Sequence, residues 1–317
     1  MTGKNKGNVA KPFFSVIIPL YNKENFIQTC LKSVIQQEFE DFELIIIDDG
    51  STDHSLAKAN EIKDQRIQIF QQKNQGASHA RNSGVAKARA DYIAFLDADD
   101  EWYPNYLSCI YKMIQEHPQH AVFATNYEVE IAPQEFRKTR FSVPLKNSVE
   151  VVEDFFEASL KDALFLTISV VLKKSTFIEL GGFNPLIASG QDTDLFIRLG
   201  LKHSIVFSKE IGAKYNLQSE NNLSKSPNFE SRLNYLKAYD QIANKSLKKY
   251  LNLNRFSIGM RAKMAKHGAY YKAKKQIDFT YLNTKQKILL TLPSLLLRAV
   301  KKTQVLLAKK GIYISSV

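Results

Sequence analysis

Asp91-Tyr92-Ile93-Ala94-Phe95-Leu96-Asp97-Ala98-Asp99-Asp100-Glu101-Trp102 decides how the chain is read. Residues 92–96 have the apolar density of a short buried strand, which stops in four carboxylates over the five positions 97–101. Side chains alternate across a strand, so Asp97 and Asp99 can point the same way where the chain leaves the sheet. Two hard oxygen donors so placed suit a Mg2+ or Mn2+ ion that is also ligated by phosphates. The same pattern fits an acidic solvated turn, or caps for a helix beginning near Pro104.

Working outward, the segments before this stretch alternate strand and helix. Residues 15–20 form a continuous apolar run, as in a strand buried on both faces. Residues 26–37 space Phe26, Ile27, Cys30, Leu31, Val34 and Ile35 at helical intervals. Residues 42–47 read as a second buried strand ending in Asp48-Asp49-Gly50-Ser51-Thr52-Asp53, a turn and a cap. A shorter strand over 66–70 and a small-residue helix over 76–90 lead back to the acidic stretch. Such alternation predicts an α/β fold, with an open, mostly parallel central sheet, Rossmann-like and flanked by helices. In such sheets ligands collect at the carboxyl ends of strands, where Tyr21, Asp49, Asp97 and Asp99 would share one rim.

Beyond Trp102 the alternation loosens. The pattern predicts helices over 106–115 and 151–163, and strands over 121–131 and 165–172. Gly181-Gly182-Phe183-Asn184-Pro185 is a turn. Gln191-Asp192-Thr193-Asp194 then opens an amphipathic helix with carboxylates at its positive end. From Phe229 onward the chain reads as helices with basic faces.

Composition narrows the class. The 317 residues are 44% hydrophobic, enough for a large core and too apolar for a disordered chain. The net charge of +12 is uneven: residues 231–317 hold 19 Lys/Arg and 2 Asp/Glu, leaving 25 and 30 in residues 1–230. An acidic body therefore carries a strongly basic tail. With only Cys30 and Cys109, no disulfide framework is possible, which fits a reducing, cytoplasmic setting. Residues 1–11 read as a flexible N-terminus rather than a signal peptide, and no run of 18 apolar residues is present. Neither G-x-G-x-x-G nor G-x-x-x-x-G-K-[ST] occurs, which argues against dehydrogenases and P-loop kinases.

Five motifs in order resemble glycosyltransferase family 2, enzymes of the GT-A fold: Ser15-Val16-Ile17-Ile18-Pro19-Leu20-Tyr21-Asn22; Ile47-Asp48-Asp49-Gly50-Ser51-Thr52-Asp53; Asn74-Gln75-Gly76-Ala77-Ser78-His79-Ala80-Arg81-Asn82-Ser83-Gly84; the 95–102 stretch; and Gly190-Gln191-Asp192-Thr193-Asp194-Leu195. The resemblance covers residues 12–225 as a GT-A domain and leaves 226–317 as a basic helical extension. It implies an inverting, metal-dependent hexosyl- or N-acetylhexosaminyl-transferase using a nucleotide-sugar donor, UDP-linked by preference. The acceptor would be a glycan or lipid-linked hydroxyl, in cell-surface polysaccharide biosynthesis.

The resemblance also assigns roles. Asp99 becomes the main metal ligand of a DxD motif, with Asp97 bound through water or to the donor ribose. Tyr21 stacks on the base and Asp49 accepts from a base N–H; their plainer readings are a strand-end aromatic and a cap. Gly76 admits a diphosphate at a helix start, and Pro19 and Ala98 fall on the same donor side. Arg81 adds charge there or pairs with nearby carboxylates. Asp192 is the base that takes the acceptor proton, Asp194 the weaker candidate, unless both merely cap their helix. Two departures stand out. The usual Glu-Asp pair reads Gln191-Asp192, and Asn216 and Gln218 carry no charge where family members often place Arg and His. They keep alive a rival reading, a non-catalytic nucleotide-sugar or glycan-binding protein.

Residues 286–310 interleave leucines with Lys287, Arg298, Lys301, Lys302, Lys309 and Lys310, and Pro293 would kink or restart the helix. Apolar and cationic faces together suit a peripheral helix on an anionic membrane surface. A core-packing helix with a solvated basic rim is the alternative. Nucleic acid fits poorly, because few aromatics accompany these lysines.

Overall fold

The computed structural model describes residues 10–219, 228–299 and Thr303. The first half alternates β1 (Phe14–Leu20), α1 (Ile27–Ile35), β2 (Phe42–Asp48), α2 (Ser55–Glu61), β3 (Ile67–Gln71), α3 (Ala77–Lys87) and β4 (Tyr92–Phe95). After the acidic loop come β5 (Glu101–Trp102), α4 (Tyr106–Glu116), β6 (Val122–Ala132), β7 (Glu135–Lys138), β8 (Val149–Val152) and α5 (Phe155–Ala158). β9 (Val170–Lys173), α6 (Lys174–Glu179), α7 (Gln191–Lys202) and β10 (Ile205–Asn216) complete the sheet. The basic region supplies α8 (Phe229–Leu236), α9 (Lys245–Met264), α10 (Ala269–Gln276) and α11 (Thr284–Thr291).

One sheet runs β3-β2-β1-β4-β9-β6-β10-β5, with β7 beside β6 and β8 beside β10. It is parallel through β3, β2, β1 and β4, as the alternation requires. Beyond β4 it is mixed, because β9 enters antiparallel between β4 and β6. β1 and β2 are buried on both faces: Ile17, Ile45 and Ile47 pack into one apolar layer, Val16, Ile18, Leu44 and Ile46 into the other. That is why these strands read as unbroken apolar runs.

Two expectations fail locally. Residues 151–163 are not one helix: Val149–Val152 pairs antiparallel with β10, and only Phe155–Ala158 is helical, capped by Asp154 accepting from Glu157 N–H at 2.9 Å. Residues 165–172 are not one strand: a 3-10 turn, Thr167–Ser169, precedes β9. In both places pairing with a distant strand outweighs local periodicity.

The C-terminal helices pack on the body. Phe229, Leu233 and Leu236 of α8 and Leu247, Leu251 and Ile258 of α9 share an apolar cluster with Leu195, Phe196 and Leu199 of α7. α11 stops at Leu292 before Pro293, and residues 294–299 are helical again. Ile288, Leu295 and Leu296 are exposed. Lys301, Lys302, Val305, Leu306, Lys309 and Lys310 lie outside the described residues, as do residues 1–9 and the boundary at 225–226. Among the described residues, no helix is long and apolar enough to cross a membrane.

Candidate active site

Parallel pairing of β1 with both β2 and β4 sets the carboxyl ends of the three strands side by side. Tyr21, directly after β1, is 46% exposed. Asp49 follows β2 and its N–H donates to Leu20 O at 2.8 Å, so the two strand ends are tied together. Pro19 lies one residue before the end of β1, half-buried opposite Ile47.

Asp49 is buried and well used. Its Oδ1 accepts from Gln72 Nε2 at 2.8 Å and Gln75 N at 3.0 Å, and its Oδ2 from Gly76 N at 2.7 Å. A carboxylate offers about four acceptor positions, so Oδ2 keeps one for a ligand N–H. Gly76 opens α3 at φ 90°, a conformation natural to glycine. Its own N–H is donated to Asp49. A Cβ at Gly76 would meet nothing within 4 Å, which leaves the space for close approach.

The four carboxylates of the acidic loop go to four different partners. Asp97 pairs with Arg81 of α3, and Asp99 Oδ2 with Lys23 Nζ at 2.7 Å. Asp100 Oδ1 accepts from Asn216 N at 2.7 Å, and Glu101 Oε1 holds Lys214 Nζ at 2.6 Å. None of the four serves as a cap for α4, whose N-cap residue is Asn105. Ala98 is buried between Asp97 and Asp99. Burial, and then the charges of Asp99 and Asp97, push the Asp100 pKa well above the usual carboxylate range. Lys23 escaped sequence reading; an acidic loop of this density needing a countercharge was the only signal.

Arg81 is 5% exposed, with its guanidinium 5.1 Å from the Phe183 ring centroid. Its Nε and Nη1 are buried without a hydrogen-bond partner among the described residues. Leaving such groups unpaired costs about 1–3 kcal/mol each. The donor set also fits a hard divalent cation: Asp97 and Asp99 present carboxylate oxygens, and each already holds a cationic side chain. Among the described residues, no group of three or more His, Cys, Asp or Glu forms a complete cage. A cation at Asp99 would therefore need phosphate oxygens to fill its shell.

The turn that leads toward α7 is tied to α3. Asn82 Nδ2 donates to Phe183 O at 2.8 Å and Phe183 N to Asn82 Oδ1 at 3.0 Å, pinning the turn that leads to α7. α7 begins after Gly190 at φ 93°, against which the Tyr235 ring of α8 closes. Asp194 is structural: it accepts from Arg198 Nη2 at 2.6 Å and from Tyr239 Oη at 2.6 Å. Half-buried Asp192 accepts only from its neighbour Thr193 among the described hydrogen bonds, at 2.8 Å from its N–H. Of the two carboxylates, Asp192 is the less engaged. A separate concavity of about 670 Å3 at the amino edge of the strands is lined by Arg66 and Arg89, already paired with Asp64 and Glu43.

Residues 15–176 match the family profile of Glycosyl transferase family 2. The chain belongs to glycosyltransferase family 2. The matched segment holds Pro19, Tyr21, Asp49, Gly76, Arg81, Asp97, Ala98 and Asp99 and ends before Asp192. An uncharacterized glycosyltransferase of Rickettsia felis is 33% identical over 198 residues, which is 60% of this chain and 31% of that protein. Glycosyltransferase GlyG of Streptococcus pneumoniae is 32% identical over 119 residues, 37% of this chain and 40% of that one. The matches thus span about a third of these relatives' length. Among solved structures, TarS of S. aureus in complex with UDP-GlcNAc superposes with a TM-score of 0.63 at 19% identity, over 82% of this chain and 79% of that chain. Mannosyltransferase PcManGT of Pyrobaculum calidifontis, in complex with GDP-Man and Mn2+, gives 0.58 at 16%, over 94% and 81%. At these identities the likeness establishes that this family 2 member has the GT-A fold.

Proposed function

We propose that the chain transfers a sugar from a nucleotide-diphosphate sugar, UDP-linked by preference, to a hydroxyl of a glycan or lipid-linked acceptor, with inversion. The observation that carries this reading is the charge pattern at the carboxyl ends of β1 and β4, where Asp97 pairs with Arg81 and Asp99 with Lys23. A diphosphate with a bound cation is the ligand that such mixed charge fits, its oxygens drawn to the cationic side chains and its cation to the carboxylates. Solved relatives of the same fold in complex with UDP-GlcNAc and with GDP-Man and Mn2+ support the donor class.

In the proposed reaction Tyr21 stacks on the base and the remaining lone pair of Asp49 accepts from a base N–H. Pro19 and Ala98 shape the donor side, and the open face at Gly76 admits the diphosphate. Asp99, with Asp97 beside it, would hold Mn2+ or Mg2+, which supplies charge neutralisation to the leaving diphosphate when bound. The acceptor oxygen attacks the anomeric carbon from the face opposite the diphosphate. A new C–O bond forms, the anomeric C–O bond to phosphate breaks, and the nucleoside diphosphate leaves with the electron pair. Asp192 takes the acceptor proton late in this displacement.

Residues 12–225 would form the catalytic domain and 226–317 its basic extension. Exposed Ile288, Leu295 and Leu296 beside Lys287 and Arg298 support peripheral docking of that extension on an anionic, cytoplasmic membrane face, where a surface polysaccharide would be assembled. The test is release of nucleoside diphosphate from a panel of nucleotide sugars with Mn2+, in wild type and Asp192→Asn. One donor hydrolysed or transferred, with the variant slowed at least 100-fold, supports the reading. Binding without turnover, with every acceptor class tried, would favour the non-catalytic rival.

A further inference from the structure

Ser51, Thr52, Asp53 and Ser55 do more than lead into α2, whose cap residue His54 makes no side-chain cap bond. Their side chains hold the segment that leaves β1. Three consecutive N–H groups there find side-chain acceptors. Asn22 N donates to Ser51 Oγ at 3.2 Å, Lys23 N to Ser55 Oγ at 2.6 Å and Glu24 N to Asp53 Oδ2 at 3.1 Å. Asp53 Oδ1 accepts from Ser55 N at 2.9 Å, so the acceptors are themselves linked.

Asn22 is the most constrained of the three. Its backbone stands at φ 49°, in the left-handed region that crowds a Cβ. Such a conformation persists only where its surroundings hold it. Here the Asn22 amide does so: Oδ1 accepts from Thr52 N at 2.8 Å and Nδ2 donates to Thr52 Oγ1 at 3.3 Å.

Tyr21 lies between this locked residue and Leu20, whose carbonyl accepts from Asp49 N at 2.8 Å. The Tyr21 ring is exposed, so the backbone on either side, rather than enclosure, sets where it stands. On both sides that backbone is tied to residues 49–52. Tyr21 and Asp49 are thereby kept in one fixed relation, an aromatic face beside a carboxylate edge. Recognition of a flat heterocycle by stacking and by an N–H contact needs that pair in register.

We propose that Asn22 is a positioning residue for the nucleotide base: locked left-handed by Ser51 and Thr52, it holds Tyr21 in register with Asp49. Asn22 acts through Tyr21 and needs no contact of its own with the base. This role rests on the nucleotide-sugar donor proposed above.

The test is a double-mutant cycle of Asn22→Ala and Tyr21→Ala, read by calorimetric titration of UDP and of GDP into the full chain with Mn2+. Each variant is checked for folding by circular dichroism. Asn22→Ala strains the backbone and drops the amide. It is expected to weaken nucleotide binding by about tenfold or more in the wild-type background, and by less than about twofold in Tyr21→Ala. Asn22→Gly, which accepts the left-handed backbone freely, is expected to recover part of the loss. Where Asn22→Ala does not fold, Ser51→Ala removes only the acceptor of Asn22 N–H and should show a smaller loss with the same dependence on Tyr21. An equal loss in both backgrounds is what a merely structural role would produce, and it overturns the proposal. So does wild-type affinity in either Asn22→Ala or Tyr21→Ala, with the donor reading left standing. A wild type that binds neither nucleotide overturns the donor reading itself, and the role of Asn22 falls with it.

Discussion

Lys23 Nζ lies 2.7 Å from Asp99 Oδ2, and both side chains are largely buried. The ammonium thus stands on the carboxylate that the proposed metal would use, and the two cations compete for it. A hydrogen bond to a charged group is worth about 1.5–3 kcal/mol, and 1.4 kcal/mol is about tenfold in affinity. Lys23→Gln is expected to tighten Mn2+ binding in the presence of UDP by about tenfold, measured by calorimetry. Unchanged affinity would show that Lys23 and the metal do not share Asp99.

Asp192 and Asp194 are two residues apart and should fail in different ways. Asp192→Asn removes the proposed proton acceptor and is expected to lower turnover by about 10²–10⁴-fold, with UDP affinity and the urea midpoint unchanged. Asp194→Asn weakens the contacts to Arg198 and Tyr239 and is expected to cost about 1.5–3 kcal/mol of stability. If the two variants exchange these phenotypes, the roles are reversed.

Gly84 is where α3 meets β1. A Cβ there would sit 2.4 Å from Ile17 Cγ2, inside a core with no slack. Gly84→Ala is expected to destabilise by about 1–3 kcal/mol in urea unfolding. Because α3 also carries Arg81 and Asn82, donor affinity should fall with stability. An Ala variant as stable as wild type would mean that this contact is looser than described.

Glu43 sits in β2, accepting from Ser15 Oγ at 2.7 Å and from Arg89 N–H and Nε. Burial alone would raise its pKa; these hydrogen bonds outweigh burial and hold it below the ordinary 4.5. The unfolded chain then binds more protons at Glu43 than the folded one, so this contribution is complete above about pH 4.5 and is lost as pH falls through the lower folded value. Stability of wild type should drop more steeply below that pH than that of Glu43→Gln. Parallel acid limbs would remove Glu43 from the account.

The apolar runs of β1 and β2 and the acid-terminated β4 were legible because burial on both faces leaves a continuous local signature. So was the rim, since parallel strands must bring their carboxyl ends together. The mixed half was not: β9 pairs with β4 across some eighty residues of chain, and no local period encodes that. Val149–Val152 misled for the same reason, its strand conformation coming from β10. At the candidate site, Asp97, Asp99 and Asp192 stand out in the sequence by type and spacing. Lys23 and Tyr235 do not, because they are ordinary residues that the fold brings against Asp99 and Gly190.

The most direct test of the account is calorimetric titration of UDP, with and without Mn2+, into wild type and Asp99→Ala. Binding to wild type is expected to strengthen with Mn2+, and binding to Asp99→Ala to be weak and indifferent to the metal. UDP affinity that ignores both the metal and the substitution would contradict it.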